Sequence, residues 1–334
     1  MTPLTQAAAD PAITETGSLG VYHMKRFWSR TMRNRQARIE SDGAEWNRDL
    51  VLMFGMGVGL QETLRYMYLT GPSFEEFERW VLERNEGGIE PERIARINAA
   101  VTGQPVEPDR EVEQYPPVLT GDDMAFWNEH GYVIVHDSIP AESRVAAEKA
   151  IWEVVRADPQ NPATWYGGPQ GPSIWVPLLH HWALRANRKS LRLRKAFAQI
   201  WGRTDLWVTI DSGGFNPPET PRWRFPGPFL HWDTEVVSPI PFGVQGLVYL
   251  TDTAANQGAF QLVPGFHHKI DAWLAQLPGG ANPQEENLAA LGAIPIAGKA
   301  GDLIIWRQDL PHGSSPNHAT LPRIVQYISA SPML

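Results

Sequence analysis

The second half of the chain is a succession of short apolar segments, each closed by Gly, Pro or Asn. The segments are rich in β-branched and aromatic residues, which is typical of strands, and the turn residues keep each one short. They cover residues 206–211, 246–251, 259–263, 302–306 and 323–328. Many short antiparallel strands predict a sandwich or barrel of the jelly-roll type. We therefore predict a mainly β fold with flanking helices around a jelly-roll core.

In the first hundred residues the apolar positions recur with the spacing of helices, and not as short strand-like segments. Ser73 and Glu76 form a capping-box pattern at the start of one helical segment. Pro91 is well placed as the first residue of the next helix. The predicted organisation is a loose N-terminus over residues 1–20, a helical N-terminal region over 21–101, a Pro-rich linker over 102–119 and a jelly-roll domain over 120–334.

The amino-acid composition excludes several chemistries. The chain has no cysteine, which removes disulfides, thiolate zinc sites, iron–sulfur clusters and cysteine nucleophiles. A bound metal must therefore use histidine, carboxylate, backbone or water. The net charge of -8 argues against a nucleic-acid partner, because such contacts need many cations opposite phosphates. One basic helical segment, residues 180–201, predicts either an anion site or a solvated helix face, and we favour the solvated face.

Targeting and membrane signals are weak in this sequence. The first twenty residues have neither a charged start nor an apolar core, so we expect no secretory signal. The longest apolar run, Val51 to Leu60, contains three glycines and is too short to cross a bilayer. We predict a cytoplasmic protein with no membrane partner.

The peptide FLHWDTE, residues 229–235, places His231 and Asp233 two positions apart. On a strand, positions i and i+2 point to the same face, so the imidazole and the carboxylate converge. His312 follows 79 residues beyond Asp233, after another strand-like segment. Two histidines and one carboxylate that leave the opposite metal positions open form the facial triad of non-haem Fe(II) oxygenases. Taken alone, His231 and Asp233 also fit a surface hydrogen-bonded pair.

Arg323 begins a strand eleven residues after His312. Fe(II) held by two neutral histidines and one aspartate carries a positive charge, which a dianionic 2-oxoacid turns negative. A buried Arg323 would restore the balance, and its planar fork fits a carboxylate bidentately. Ser314 lies two residues past His312 and could donate a second hydrogen bond to that carboxylate. A surface ion pair is the competing interpretation of Arg323.

Together these motifs resemble the phytanoyl-CoA dioxygenase family of Fe(II)/2-oxoglutarate-dependent oxygenases. The resemblance covers residues 118–334 and includes FWNEHGYVIV, HWD, QGLVYLTD, QGAFQLVPGFH, GDLIIWRQDLPHGSSPN and PRIVQYI. It implies a double-stranded β-helix (jelly roll), with Fe(II) as cofactor and 2-oxoglutarate and O2 as cosubstrates. By this resemblance the iron ligands are His231, Asp233 and His312. The residues implied to bind 2-oxoglutarate are Arg323, Ser314 and Tyr249.

The predicted activity is hydroxylation of a small-molecule substrate, such as a secondary metabolite or a carboxylate-bearing compound, with release of succinate and CO2. Related halogenases carry a small residue where this chain has Asp233, so a hydroxylase is favoured over a halogenase. Two alternatives use the same residues. One is a non-catalytic jelly-roll ligand-binding module. The other is a metal-dependent hydrolase or isomerase, which leaves Arg323 and Ser314 without an evident role.

Four residues are candidates for substrate contact, with ordinary anchoring of loops as the competing interpretation. They are Trp232 between the two predicted ligands, Trp223 and Arg224 in the preceding loop, and Trp175 on a possible opposite wall. For the N-terminal helical region we predict one of three roles. It could form a homo-oligomer interface, cap the active-site mouth or dock a partner protein.

Overall fold

The structure is a computed structural model that describes residues 10–35, 43–167 and 173–332. The chain divides into two compact units. The first unit comprises Met1–Asp109, Asp205–Ile210 and Pro332–Leu334, and the second comprises Arg110–Thr204 and Asp211–Ser331. The N-terminal segment of the first unit thus ends at Asp109, within the predicted linker of residues 102–119.

Helices and short strands both contribute substantially to the described residues. The α-helices are α1 (Met24–Asn34), α2 (Gly43–Met56), α3 (Leu60–Thr70), α4 (Phe74–Arg84), α5 (Pro91–Val101), α6 (Arg110–Gln114), α7 (Gly121–His130), α8 (Ala141–Val155), α9 (Trp182–Arg188), α10 (Leu191–Trp201) and α11 (Ile270–Leu274). The strands are β1 (Tyr132–Val135), β2 (Trp175–Val176), β3 (Leu206–Val208), β4 (Gly213–Asn216), β5 (Val244–Tyr249), β6 (Phe260–Leu262), β7 (Ile294–Pro295), β8 (Leu303–Arg307), β9 (His312–Ser314), β10 (Arg323–Tyr327) and β11 (Ala330–Pro332). The prediction of a mainly β chain was therefore wrong in its balance, because this is a mixed fold of helices and antiparallel sheet.

The first unit is helical, and its local signals match the sequence. The Ser73 hydroxyl accepts a hydrogen bond from the Glu76 backbone, and the Glu76 carboxylate accepts one from the Ser73 backbone, which confirms the capping box. Pro91 begins α5, also as predicted. Within the described part of the stretch predicted to be loose, Ser18 donates both its backbone N–H and its hydroxyl to the buried Glu78 of α4.

The core of the first unit also recruits a segment from far along the chain. Trp207 of β3 is buried in the same apolar cluster as Met53, Phe77 and Ile97. The Arg96 guanidinium lies 4.5 Å from the centre of the Trp207 ring and donates to the Leu206 carbonyl. The first unit is therefore discontinuous in sequence, since its core is incomplete without residues 205–210.

The second unit contains two antiparallel sheets. The larger has the strand order β1-β8-β5-β10-β4-β2, and the smaller has the order β7-β6-β9. One apolar cluster contains side chains from both, including Tyr249 and Val325 of the larger sheet and Phe260 and Leu262 of the smaller. One buried core of this unit therefore lies between the sheets.

Side chains alternate between the two faces of β10, and this alternation positions the site. Val325 and Tyr327 belong to the cluster between the sheets, so Arg323 points to the same inner face. Gln326 points to the outer face, where it donates to the Leu184 carbonyl and accepts from the Asn187 amide of α9. Helices therefore cover one face of the larger sheet, and the other face is directed at the smaller sheet.

The basic segment 180–201 forms two helices rather than one. The chain breaks at Ser190, whose hydroxyl accepts a hydrogen bond from the Leu193 backbone and caps α10. Arg188 is buried and donates to the carbonyls of Leu179 and Asp211. Lys195 donates to two backbone carbonyls of α6. These two cations thus hold the backbone together. None of the helices in the described ranges is long and apolar enough to cross a membrane.

Candidate metal and cosubstrate site

Three side chains converge at the edge of the smaller sheet. His231 and His312 are joined by two backbone hydrogen bonds of 2.9 and 3.0 Å, which form an isolated antiparallel bridge. Asp233 follows in the turn directly after this bridge. The His231, Asp233 and His312 side chains each offer one ligand atom, and these atoms lie within 4.8 Å of one another. Two distant stretches of chain therefore build one cluster that can hold a metal ion.

Both histidines present the same ring nitrogen to the cluster. The Nδ1 atom of His231 lies 2.7 Å from the Phe229 carbonyl oxygen, and that of His312 lies 2.9 Å from the Leu310 carbonyl oxygen. A carbonyl only accepts hydrogen bonds, so each Nδ1 carries the proton. In the neutral ring the lone pair then resides on Nε2, which is the arrangement that metal-binding histidines need.

Asp233 completes the cluster as an ionised carboxylate. Its Oδ1 lies 3.3 Å from the Nε2 of His231, and its Oδ2 lies 3.3 Å from the Nε2 of His312. Hydrogen bonds with these two histidines hold the pKa of Asp233 well below its usual range. The Asp233 side chain is 54% exposed and that of His312 only 3%, so the cluster opens to solvent on the aspartate side.

The pKa of His231 is shifted in the opposite direction, upward. Burial alone would lower the pKa of this imidazole, but its hydrogen bonds with Asp233 and the Phe229 carbonyl outweigh burial and raise the pKa. A proton on Nε2 and a metal ion would occupy the same position beside Asp233. Protons and metal therefore compete for this site.

Arg323 supplies a buried positive charge on the inner face of the larger sheet. Its side chain is fully buried, and among the described residues no acceptor is hydrogen-bonded to any of its three guanidinium nitrogens. A buried guanidinium is costly unless an acceptor pairs with it. A carboxylate with two parallel acceptors matches its fork. Because it has no partner among the described residues, this guanidinium fits a carboxylate of 2-oxoglutarate.

Two further buried polar side chains, Asn216 and Ser314, lie on strands of these sheets. Asn216 of β4 lies directly opposite Arg323 in the strand register and is fully buried. Within the described ranges its Oδ1 has no hydrogen-bond partner, whereas its Nδ2 donates to the carbonyls of Gly258 and Ser315. Ser314 of β9 is also buried, as the predicted role requires.

The Tyr249 hydroxyl is already engaged by the backbone. It donates to the Ile296 carbonyl at 2.7 Å and accepts from the Phe260 N–H at 3.0 Å. Burial raises the pKa of Tyr249 to about 12, although the positive charge of Arg323 acts in the opposite direction. Its proton is therefore committed to Ile296. In this structure Tyr249 joins the two sheets and has no hydrogen left for a cosubstrate.

Trp232 does not face the cluster, contrary to its assignment as a substrate residue. It is 3% exposed, its Nε1 donates to the Asp309 carbonyl, and it packs against Phe266 and Trp273. The reason is the alternation that brings His231 and Asp233 together. It turns the residue between them to the opposite side.

The other three candidates for substrate contact differ in what surrounds them. Arg224 is paired with Glu219 at 3.2 Å on an exposed loop, which supports the anchoring interpretation. Trp223 is half-buried, with its ring 6.1 Å from that of Tyr166. Trp175 is 43% exposed, and its ring lies 4.4 Å from that of Tyr327. Tyr327 shares the inner face with Arg323, so Trp175 is the one of these three residues that contacts a side chain of that face.

Sequence patterns did not reveal three residues that belong to this region. Gln245 donates to Asp233, Asn216 flanks Arg323, and Tyr327 supports Trp175. Their positions depend on strand register between segments far apart in the chain. The one signal that was available for Tyr327 is its spacing of four residues from Arg323 on a strand, which puts both on one face.

A two-histidine, one-carboxylate cluster and a fully buried arginine on an antiparallel β scaffold are features of the class of non-haem Fe(II)/2-oxoglutarate-dependent oxygenases. Comparison with protein families agrees, since the model for phytanoyl-CoA dioxygenase (PhyH) matches residues 127–325. The chain belongs to the phytanoyl-CoA dioxygenase family, as its motifs predict. Its cofactor set is that of the class, Fe(II) with 2-oxoglutarate and O2 as cosubstrates.

Individual relatives are distant. A Dictyostelium discoideum protein named for phytanoyl-CoA dioxygenase is 20% identical over 263 residues, covering 62% of this chain and 74% of the relative. Among solved structures, EctD from S. alaskensis with bound Fe is 18% identical, covers 66% of this chain and 79% of that chain, and has a TM-score of 0.46. HygX from Streptomyces hygroscopicus with nickel and 2-oxoglutarate bound is 15% identical, covers 65% and 88%, and has a TM-score of 0.44. The assignment to the phytanoyl-CoA dioxygenase family therefore rests on the match to the family model over residues 127–325.

Proposed function

We propose that this protein hydroxylates a small-molecule substrate in an Fe(II)- and 2-oxoglutarate-dependent reaction that releases succinate and CO2. The observation that carries the proposal is the cluster of His231, Asp233 and His312, whose ligand atoms lie within 4.8 Å of one another. The fully buried guanidinium of Arg323, which has no hydrogen-bond partner within the described ranges, supports 2-oxoglutarate as the cosubstrate. We further propose that the two sheets form a double-stranded β-helix, since both are antiparallel and enclose one core.

Each proposed ligand has a defined role. His231 and His312 would bind the metal through Nε2, because the Phe229 and Leu310 carbonyls hold their Nδ1 protons. Asp233 would bind as a carboxylate, which its depressed pKa keeps ionised. The bound iron, with 2-oxoglutarate and O2, supplies the oxidising chemistry that converts a C–H bond into C–OH.

The cosubstrate would be oriented by the polar pocket on the inner face. Arg323 would pair with the far carboxylate of 2-oxoglutarate, and the Ser314 hydroxyl would donate to the same group. Asn216 lies opposite Arg323, and its buried Oδ1 has no partner among the described residues; since this oxygen only accepts, it would pair with the Arg323 guanidinium and not with the carboxylate. Tyr249 does not donate in this arrangement, since its proton goes to Ile296.

The substrate would enter from the open side of Asp233. Trp175 and Tyr327, whose rings contact at a tilt, would form an aromatic wall on the face that carries Arg323, and the exposed part of Trp175 could contact a bound molecule. Hydroxylation is proposed over halogenation because Asp233 occupies the position that a halide would need.

The experiment that tests the proposal is an anaerobic titration with Fe(II) and 2-oxoglutarate, followed by turnover. We expect a weak visible charge-transfer band, and then succinate release that a small-molecule substrate stimulates. The Asp233→Ala variant should lose both signals. A pure ligand-binding module would give no band. Full turnover in Asp233→Ala would contradict the ligand assignment.

Homo-oligomer formation or partner docking through the N-terminal region stays a prediction. Helix α3 exposes Tyr68 and Leu69, with Leu69 69% exposed. Light scattering of the full chain and of Leu69→Glu would test this. A mass that is monomeric in both would argue against a homo-oligomer built on this face.

A further inference from the structure

Asp233 has a third polar neighbour besides the two histidines. The Gln245 amide nitrogen, Nε2, lies 2.6 Å from the Oδ2 of Asp233. Gln245 belongs to β5 of the larger sheet, whereas Asp233 lies in the turn next to the smaller sheet. This hydrogen bond therefore joins the proposed ligand to a strand of the opposite sheet.

The orientation of the Gln245 amide is set by a second hydrogen bond. The indole N–H of Trp306 donates to the Oε1 of Gln245 at 3.1 Å. An indole N–H can only donate, so Oε1 must be the atom that faces Trp306. The NH2 group then faces Asp233. Gln245 and Trp306 are direct partners in the β5–β8 register, which keeps this geometry on two rigid strands.

Gln245 is an amide side chain on a face of β5 that is otherwise buried in the apolar core. Leu247 and Tyr249 follow at positions two and four residues further along, and both are fully buried in the core between the sheets. An apolar side chain at position 245 would continue this face. The glutamine instead lies where the face meets Asp233, so its amide has a specific partner.

We propose that Gln245 is a positioning residue that holds the Asp233 carboxylate in its metal-binding orientation, with Trp306 fixing the amide. The inference rests on the proposed function of the His231, Asp233 and His312 cluster. Gln245 occupies one lone pair of Oδ2, and Oδ1 is the oxygen on the His231 side. Since the Asp233 side chain is 54% exposed, this hydrogen bond limits the rotation of the carboxylate. Hydrogen-bond partners of this kind orient metal ligands and raise affinity.

The test measures metal affinity of the metal-free full chain by titration with Co(II), whose visible absorption reports the ligand geometry. Gln245→Leu removes both hydrogen bonds and should weaken Co(II) binding by about 10- to 100-fold with an altered visible spectrum. Trp306→Phe should give a smaller loss, because the amide can then rotate. Trp306 also packs against His312, with ring centres 5.2 Å apart. In the double variant, a loss no larger than that of Gln245→Leu would show that Trp306 acts through Gln245.

Gln199→Leu is the matched control. Gln199 of α10 makes three hydrogen bonds, to the backbone of Val118 and Leu119, far from the cluster in sequence. It should lower thermal stability at least as much as Gln245→Leu and leave the Co(II) affinity unchanged.

The outcomes separate this inference from the proposed function. One outcome would refute the positioning role and leave the metal site intact. In that outcome the unmodified chain binds Co(II), Asp233→Ala abolishes binding, and the affinity of Gln245→Leu for Co(II) stays within twofold of the unmodified chain. If the unmodified chain binds no metal, the proposed function itself fails. An additive loss in the double variant would refute the part assigned to Trp306.

Discussion

Replacing Arg323 with methionine should weaken 2-oxoglutarate binding and stabilise the unloaded protein. Methionine keeps much of the length of the side chain but removes the guanidinium. In the structure this group is fully buried, and among the described residues none accepts a hydrogen bond from it. The substitution therefore removes an uncompensated buried cation, and it also removes the proposed partner of a carboxylate.

The two effects can be estimated separately. Leaving a buried polar group unpaired costs about 1–3 kcal/mol, so the unloaded variant should gain roughly that amount. For a domain of this size, 1 kcal/mol corresponds to about 2–4 °C in Tm. Truncating one partner of a buried, hydrogen-bonded charge pair costs about 2–5 kcal/mol in binding. The Kd for 2-oxoglutarate should therefore rise by roughly 30-fold or more.

A thermal-shift experiment with and without cosubstrate measures both quantities. At 2-oxoglutarate about 100-fold above the Kd of the unmodified metal-loaded protein, the ligand should stabilise it by about 2.7 kcal/mol. In Arg323→Met most of this gain should disappear, while the curve without ligand moves to higher temperature. The opposite signs distinguish loss of a binding group from general damage to the fold.

Arg188→Met provides the matched control. Arg188 is similarly buried, but its guanidinium donates to the carbonyls of Leu179 and Asp211. Its removal leaves buried acceptors unpaired, so the unloaded protein should lose stability and keep its affinity for 2-oxoglutarate. The reasoning is refuted if Arg323→Met binds 2-oxoglutarate normally, or if it destabilises the unloaded protein as Arg188→Met does.

Three further predictions follow from individual contacts. Metal affinity should fall as the pH falls, because the raised pKa of His231 lets a proton compete with the metal for Nε2. The affinity should return as the pH rises through that pKa. Co(II) titrations across this pH range would check both changes. Trp175→Ala removes the partly exposed ring that contacts Tyr327, so it should raise KM for the substrate and leave the Kd for 2-oxoglutarate unchanged. An unchanged KM would contradict the aromatic wall. Ser73→Ala should cost about 1 kcal/mol by removing the α4 cap, measurable as a lower midpoint of thermal unfolding, with no change in metal affinity.

Sequence reasoning succeeded where short-range geometry and residue chemistry were enough. His231 and Asp233 stand two apart, so strand alternation places them together without knowledge of the rest of the fold. His312 required a joint pattern over a long separation, and the structure brings it to the same point. Arg323 was predicted from charge balance to be buried, and the structure buries it, whereas its role in binding 2-oxoglutarate stays a prediction.

The failures have two physical causes. Trp232 was assigned to the substrate although strand alternation already turns it away from its neighbours, so here a principle was available and not applied. Gln245 and Asn216 were missed because a lone amide in a strand has no characteristic pattern. Their roles come from pairing with Trp306 and Arg323, which are 61 and 107 residues away in sequence.

The recruitment of Trp207 into the first unit has a consequence for folding during synthesis. Helix α5 ends at Val101, so the ribosome must add about a hundred more residues before Trp207 can reach the apolar cluster and stack with Arg96. At roughly 5–20 residues per second, this delay is about 5–20 seconds. During that time the nascent helices would expose apolar surface that Trp207 later covers. Chaperone dependence of the newly made chain should therefore be concentrated in this interval, before β4 and the later strands of the second unit have been translated.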